Sequence, residues 1–230
     1  MLRLVWVSLF ILCSHWAISA SIDPATLLAG VKKKYDLVRD YTASAQLKTN
    51  VLFIKAPLSQ VTVYYKRPDQ LKIKNQKGIS FVPKGTVNIN LNNVLGLRNF
   101  EAIAAGTALI DGINCEIIKI FPLNDEEDIT RATLYVDPAR LLVVKSIIST
   151  RESGTYQISM QYGAYASWGL PDRVWVEFNT REFKLPKGTT LDYNNGATNV
   201  TTPKGPQKGK VEILYRSYKI NQGVSDEIFR

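Results

Sequence analysis

The sequence predicts a mainly β protein: one large curled antiparallel sheet of roughly ten or eleven strands, a barrel or half-barrel, with an N-terminal amphipathic helix against its concave face. Three observations lead there. Between Asp128 and Phe178, short apolar-rich runs follow one another with only tight turns between them. Several of these runs alternate at period two, the mark of a half-buried antiparallel strand. One segment, 23–38, carries the main helical spacing, and a sheet of so many right-handed-twisted strands curls or closes rather than lying flat.

In chain order, residues 1–20 read as a secretory signal peptide. Arg3 precedes the apolar run Leu4 to Leu12, which is short for a membrane span, and small residues follow at Ala17, Ser19, Ala20 and Ser21, placing cleavage near Ala20. A short membrane anchor is the alternative; lipoprotein-type cleavage before Cys13 lacks small residues in Phe10-Ile11-Leu12. Residues 21–230 read as a single domain.

Asp23 and Pro24 supply a cap and a first turn for a helix of about four turns, with Leu28, Val31, Tyr35 and Val38 on one side and Lys32, Lys33, Lys34 and Arg39 on the rest. Such a helix packs on a sheet or lies on a membrane surface. From Tyr41 the period changes to that of a long strand through Phe53, ended by Pro57. Val61, Val63 and Tyr65 mark the next, and Arg67-Pro68-Asp69 turns into Leu71 to Lys74. Weaker strands are expected at Ile79 to Val82 and Thr86 to Leu91, with Asn92 to Asn99 a loop or short helix. Phe100 to Ile110 and Ile113 to Phe121 form a hairpin on Asp111-Gly112.

Ile129 to Val136 and Leu141 to Thr150 flank the turn Asp137-Pro138-Ala139-Arg140, where proline presets φ and cannot join a ladder. Tyr156 to Tyr162 and Arg173 to Phe178 follow. Thr180 to Asn199 is polar, Thr201 to Gly209 reads as a flexible turn, Lys210 to Ile220 is the last strand, and Ser225 to Phe229 closes with a helical turn.

Removing residues 1–20 takes away Arg3 and His15, so 28 of the 29 Lys+Arg remain against 20 Asp+Glu, a net charge of +8, and no histidine remains. Ser-His-Asp, Cys-His and histidine-zinc schemes are therefore excluded from residues 21–230. Cys13 leaves with the signal and Cys115 stands alone in the apolar run 113–121, a buried small hydrophobe rather than a reactive thiol, with no disulfide or thiolate cluster open to it.

Phosphate loops and nucleophile elbows are absent. Asp125-Glu126-Glu127-Asp128 reads as a solvated hairpin loop in preference to a cation site. Asp137 is explained by its turn and Glu177 by an outward strand position, so the two are not a catalytic pair. No enzyme, cofactor or metal is expected. The lysines are spread over turns and strands rather than clustered with aromatics, which argues against nucleic acid; a basic surface outside the cytoplasm meets anionic headgroups and acidic proteins instead. Asn199-Val200-Thr201 is a glycosylation sequon only in a host that glycosylates secreted chains.

The succession of features resembles the bacterial periplasmic outer-membrane lipoprotein carrier and sorting (LolA-like) family. The likeness runs from the signal and first helix into Tyr41-Thr42-Ala43-Ser44-Ala45 and Tyr65-Lys66-Arg67-Pro68-Asp69-Gln70-Leu71-Lys72-Ile73. It continues through Ile110-Asp111-Gly112-Ile113-Asn114-Cys115-Glu116, Ala132-Thr133-Leu134-Tyr135-Val136-Asp137-Pro138, Leu170-Pro171 and Tyr215-Arg216-Ser217-Tyr218-Lys219-Ile220-Asn221. The resemblance implies a half-barrel with a helical lid, binding acyl chains of lipoproteins or lipids in the periplasm and meeting inner- and outer-membrane transfer partners. In that family a cavity-facing arginine on an early strand helps gate the lid; Arg67 is the nearest candidate, but it abuts Pro68 at a turn and does not inherit the role. Relatives include lipid-sensing domains of envelope-stress systems, so a sensor or scaffold is the second reading.

Parity then nominates the lipid-binding face: Ala45, Leu47, Val63, Leu71, Ile73, Leu134, Val136, Ile158, Met160, Val174, Val176 and Phe178. The expected molecule is a monomer whose inner face is either a lined cavity or a packed core under the first helix.

Overall fold

The structure, a computed structural model, describes residues 22–51, 54–55, 58–76, 94–152, 154–179 and 208–230. Helix α1 (Pro24–Tyr35) begins where the sequence sets it: the Asp23 carboxylate accepts the Thr26 N–H at 2.9 Å and the Thr26 hydroxyl at 2.7 Å, and Pro24 fills the first position. Lys32, Lys33 and Lys34 complement the dipole of its last turn. The helix is shorter than the expected four turns, because the chain after Asp36 is claimed by tertiary bonds. Asn221 accepts the Arg39 N–H at 2.7 Å and donates to the Leu37 carbonyl at 2.8 Å, leading the backbone into the first strand. Val38 is still buried, in this turn rather than on the helix.

The strands are β1 (Asp40–Val51), β2 (Ile54–Lys55), β3 (Ser59–Lys66), β4 (Gln70–Asn75), β5 (Phe100–Ile110), β6 (Ile113–Pro122), β7 (Ile129–Asp137), β8 (Leu142–Thr150), β9 (Gly154–Gln161), β10 (Arg173–Asn179) and β11 (Lys208–Ile220). They form one antiparallel sheet in the order β4-β3-β1-β11-β10-β9-β8-β7-β6-β5, with the short β2 beside the end of β1. Short 3₁₀ turns lie at Ala166–Trp168 and Asp226–Ile228. The weak strands expected at 79–82 and 86–91, and the polar stretch 180–199, lie outside the described residues. The turn expected to end at Gly209 ends earlier, since Lys208 and Gly209 already pair with Asn179 and Phe178.

Two turns explain the hairpins. Asp111 and Gly112 both take positive φ, 48° and 80°, the primed-turn geometry that matches strand twist. Between β7 and β8, the Asp137 carboxylate accepts the N–H groups of Ala139 and Arg140 at 3.0 and 3.1 Å and pairs with the Arg140 guanidinium. That accounts for a carboxylate held in a buried position.

The expected half-barrel is corrected in one respect. The sheet is open, neither closed nor strongly curled: β4 and β5 are its two edges and do not pair with each other. Its apolar face is covered instead of folded onto itself. Leu27, Leu28 and Val31 of α1, together with Val94, Leu95 and Leu97 from the segment just before β5, are buried in the same core cluster as the sheet residues.

Candidate functional site

The cross-strand registers define one apolar face. Ala43 opposes Val63 and Tyr218, Ala45 opposes Val61 and Tyr215, and Leu47 opposes Ile213. Farther along, Val174 lies between Met160 and Ile213, and Val176 between Ile158 and Val211. Opposed residues share a face, so the register carries burial from strand to strand. Of the residues nominated by parity, Ala45, Leu47, Val63, Leu134, Val136, Ile158, Met160, Val176 and Phe178 are buried in the core cluster. Leu71, Ile73 and Val174 are partly buried and packed against it. All of them therefore lie in or against one core.

The other face is wet. Trp175 lies there between two cations, with the Arg173 guanidinium 5.5 Å and the Lys210 ammonium 5.9 Å from its ring centre. Glu177 pairs with Lys210 at 3.1 Å and Glu212 with Arg173 at 3.4 Å. Glu177 thus occupies the outward position that alternation predicts.

The nominated set omits several members of the apolar face, although alternation does put Val211, Ile213 and Tyr215 on one side of the last strand. Val211 opposes Val176, and a bulge in β11 opposite Ser44/Ala45 sets both Tyr215 and Tyr218 inward although they are three apart. Ser146 opposes Leu134 and Ile158 and is wholly buried. The run Leu141 to Ile148 is apolar almost throughout, so it shows no alternation, and the register shift between Tyr135 and Val136 displaces its parity. Val94 and Leu95, which are helical, and Leu97 carry a visible signal, apolar residues spaced within an asparagine-rich stretch, but so short a segment offers no periodicity to interpret.

Tyrosines gather where α1 meets the strand ends. Tyr41 stacks on Tyr65 at 5.2 Å between ring centres and meets Tyr218 edge-on at 5.2 Å, while Tyr215 stacks on Tyr218 at 5.0 Å. Tyr218 donates to the Pro171 carbonyl at 2.6 Å. Tyr162 donates to the Val143 carbonyl at 2.8 Å, so the 2.9 Å contact with Tyr35 has Tyr35 as its donor. Burial pushes the phenols of Tyr35 and Tyr215 up to about 12, and those of Tyr41, Tyr162 and Tyr218 well above their ordinary value of 10.0. These hydroxyls stay protonated and act as hydrogen-bonding struts.

The helix end is fastened by surface groups. Asp36 takes Lys32 at 2.7 Å and Arg67 at 3.0 Å, and the Lys34 ammonium donates to the Arg140 carbonyl at 2.6 Å. Arg67 therefore turns toward the helix terminus on the surface and not into the apolar face. Half-exposed pairs of this kind contribute little each.

The acidic loop between β6 and β7 is also bonded into the fold. Asp128 accepts the N–H groups of Arg151 and Glu152, each at 3.2 Å, so the acidic loop ties two neighbouring turns together. Among the described residues no three His, Cys, Asp or Glu side chains converge as metal ligands, and no helix is long and apolar enough to cross a membrane. Cys115 is buried, its thiol pushed up to about 11 by burial and, secondarily, by Asp137.

No family model and no curated protein matches the chain. Solved structures do. A DUF1329 family protein from Desulfovibrio piger superposes with a TM-score of 0.54 at 15% identity, over 91% of this chain and 98% of its own. A Vibrio parahaemolyticus domain described as an outer membrane lipoprotein-sorting protein gives 0.54 at 7% identity, over 90% and 97%. A LolA superfamily protein from Nitrosomonas europaea gives 0.52 at 10% identity, over 91% and 98%. At such identities the likeness is one of fold: along most of its length the chain is built like the LolA superfamily, lipoprotein-sorting and DUF1329 structures.

Proposed function

We propose that the protein is a non-enzymatic periplasmic carrier, exported by a signal peptide cleaved near Ala20, that binds the acyl chains of lipoproteins or lipids on its apolar face and moves them toward the outer membrane. The observation that carries this reading is the gathering of all the parity-nominated residues into one covered face, on a fold shared with a lipoprotein-sorting domain. Residues 21–230 act as one domain and one monomer. Each methylene moved from water onto such a face gains about 0.8 kcal/mol, so a carrier needs many apolar contacts and no chemistry. Release needs a competing membrane or partner and a cover that moves at low cost. Helix α1 suits that role, since the ion pairs at Asp36 that fasten its end are half-exposed.

Native mass spectrometry of the protein purified from its host without detergent tests the reading, with co-purified lipid or acylated peptide expected. Val174→Asp, at a partly buried position, and Ile158→Asp, at a buried one, are expected to abolish uptake of a fluorescent fatty-acid probe, with an unchanged circular dichroism spectrum at least for Val174→Asp. A clean apo mass from a protein that also refuses the probe would sink the carrier reading and leave the sensor or scaffold reading in its place.

A further inference from the structure

One row of the apolar face contains a polar interruption. Across β6, β7, β8, β9, β10 and β11 the registers align Ile118, Leu134, Ser146, Ile158, Val176 and Val211. Five of these are aliphatic and buried. The sixth, Ser146, is as buried as Leu134, and its Oγ has no hydrogen-bond partner among the described residues. A hydroxyl taken out of water without a partner is costly, and an alanine of nearly the same size would avoid the cost. Its neighbours do not explain it either: Ser149, on the opposite side of the strand, is matched by the Thr155 hydroxyl at 2.9 Å. The phenol of Tyr162, which reaches the same strand, is committed to the carbonyl of Val143.

We propose that Ser146 is the polar anchor of the acyl-binding face, its hydroxyl donating a hydrogen bond to the carbonyl oxygen at the head of a bound fatty chain. This rests on the carrier reading and adds to it a specificity for acyl over alkyl chains. A saturated hydrocarbon offers a serine nothing. The ester or amide carbonyl of a lipoprotein or phospholipid, and the carboxyl of a free fatty acid, each offer an acceptor, and in the middle strands of the sheet such a contact fixes where along the face the chain begins.

The test displaces a bound apolar fluorophore, N-phenyl-1-naphthylamine, with methyl myristate, myristic acid or the carbonyl-free tetradecane. The unaltered protein is expected to prefer the ester to the alkane by about 3- to 10-fold, the range of one net hydrogen bond. Ser146→Ala is expected to lose that preference while holding tetradecane as well as before, and the apo variant is expected to melt no lower than the parent. Ser146→Cys, of similar size but a weak donor, gives a second variant with the same expected loss. An acid preferred over the ester, with the difference lost in both variants, would assign the contact to free fatty acids; equal preference would assign it to acyl carbonyls in general. Ester preference that survives in both variants, or no preference in the parent, overturns the anchor and leaves the carrier intact. A parent that binds neither the fluorophore nor any of the three chains overturns both.

Discussion

Cys115 shows how position disarms a reactive side chain. Its thiol is buried, donates to the Ile113 carbonyl at 3.5 Å, and is held protonated with its pKa raised to about 11. Thiolate is the reacting species, so native protein at neutral pH is expected to resist Ellman's reagent and to react fully once unfolded. Rapid labelling of the folded protein would show that this part of the sheet opens. Sequence reasoning reached the same view of Cys115 from its apolar run. It could not reach Ser146, since no polarity rule marks a serine as inward-facing and a bulge cannot be seen in LLVVKSIIST. The distinction is physical: burial by composition is legible in the chain, whereas burial by register exists only once strands have paired.

Among the elements, the hairpins were legible because turn chemistry is local. Asp111-Gly112 and Asp137-Pro138 each specify their backbone within a few residues, and β5, β6, β7 and β8 follow from them nearly to the residue. The length of α1 was not, because Asn221, far along the chain, supplies the bonds that succeed it. The start of β11 shows a second long-range constraint. Gly209 opposes Phe178, and a Cβ placed on it would lie 2.6 Å from the Phe178 ring. Gly209→Ala is therefore expected to push that ring out of the apolar face and to cost about 1–3 kcal/mol. Urea unfolding checks this, and Gly209→Ala paired with Phe178→Leu should recover most of the loss. An unaltered midpoint in the single variant would show that the ring has room to turn.

For the whole molecule, the buried tyrosines set an alkaline limit. Their folded pKa values lie above the unfolded value of 10.0, Tyr35 and Tyr215 at about 12, so the folded state holds protons that the unfolded state gives up. The stability linked to them is fully present below pH 10 and is lost as pH climbs through 12. Titration followed at the tyrosinate absorbance should show a delayed, cooperative step coincident with loss of circular dichroism; smooth ionisation centred near 10 in folded protein would contradict the cluster. Overall architecture was largely legible, since a single antiparallel sheet and a covering helix follow from periodicity, but curvature was not, because it depends on what covers the face. The sheet order has one more consequence, in the time domain. Strand β1 joins the body of the sheet through β11, and the Gln46–Arg216 bond across that seam spans 170 residues of chain. Until β11 arrives, β4, β3 and β1 form one ribbon and β10 through β5 another, each with half of the apolar face. Such distant pairing is slow, so the two halves wait for each other and depend on protection from aggregation while they do.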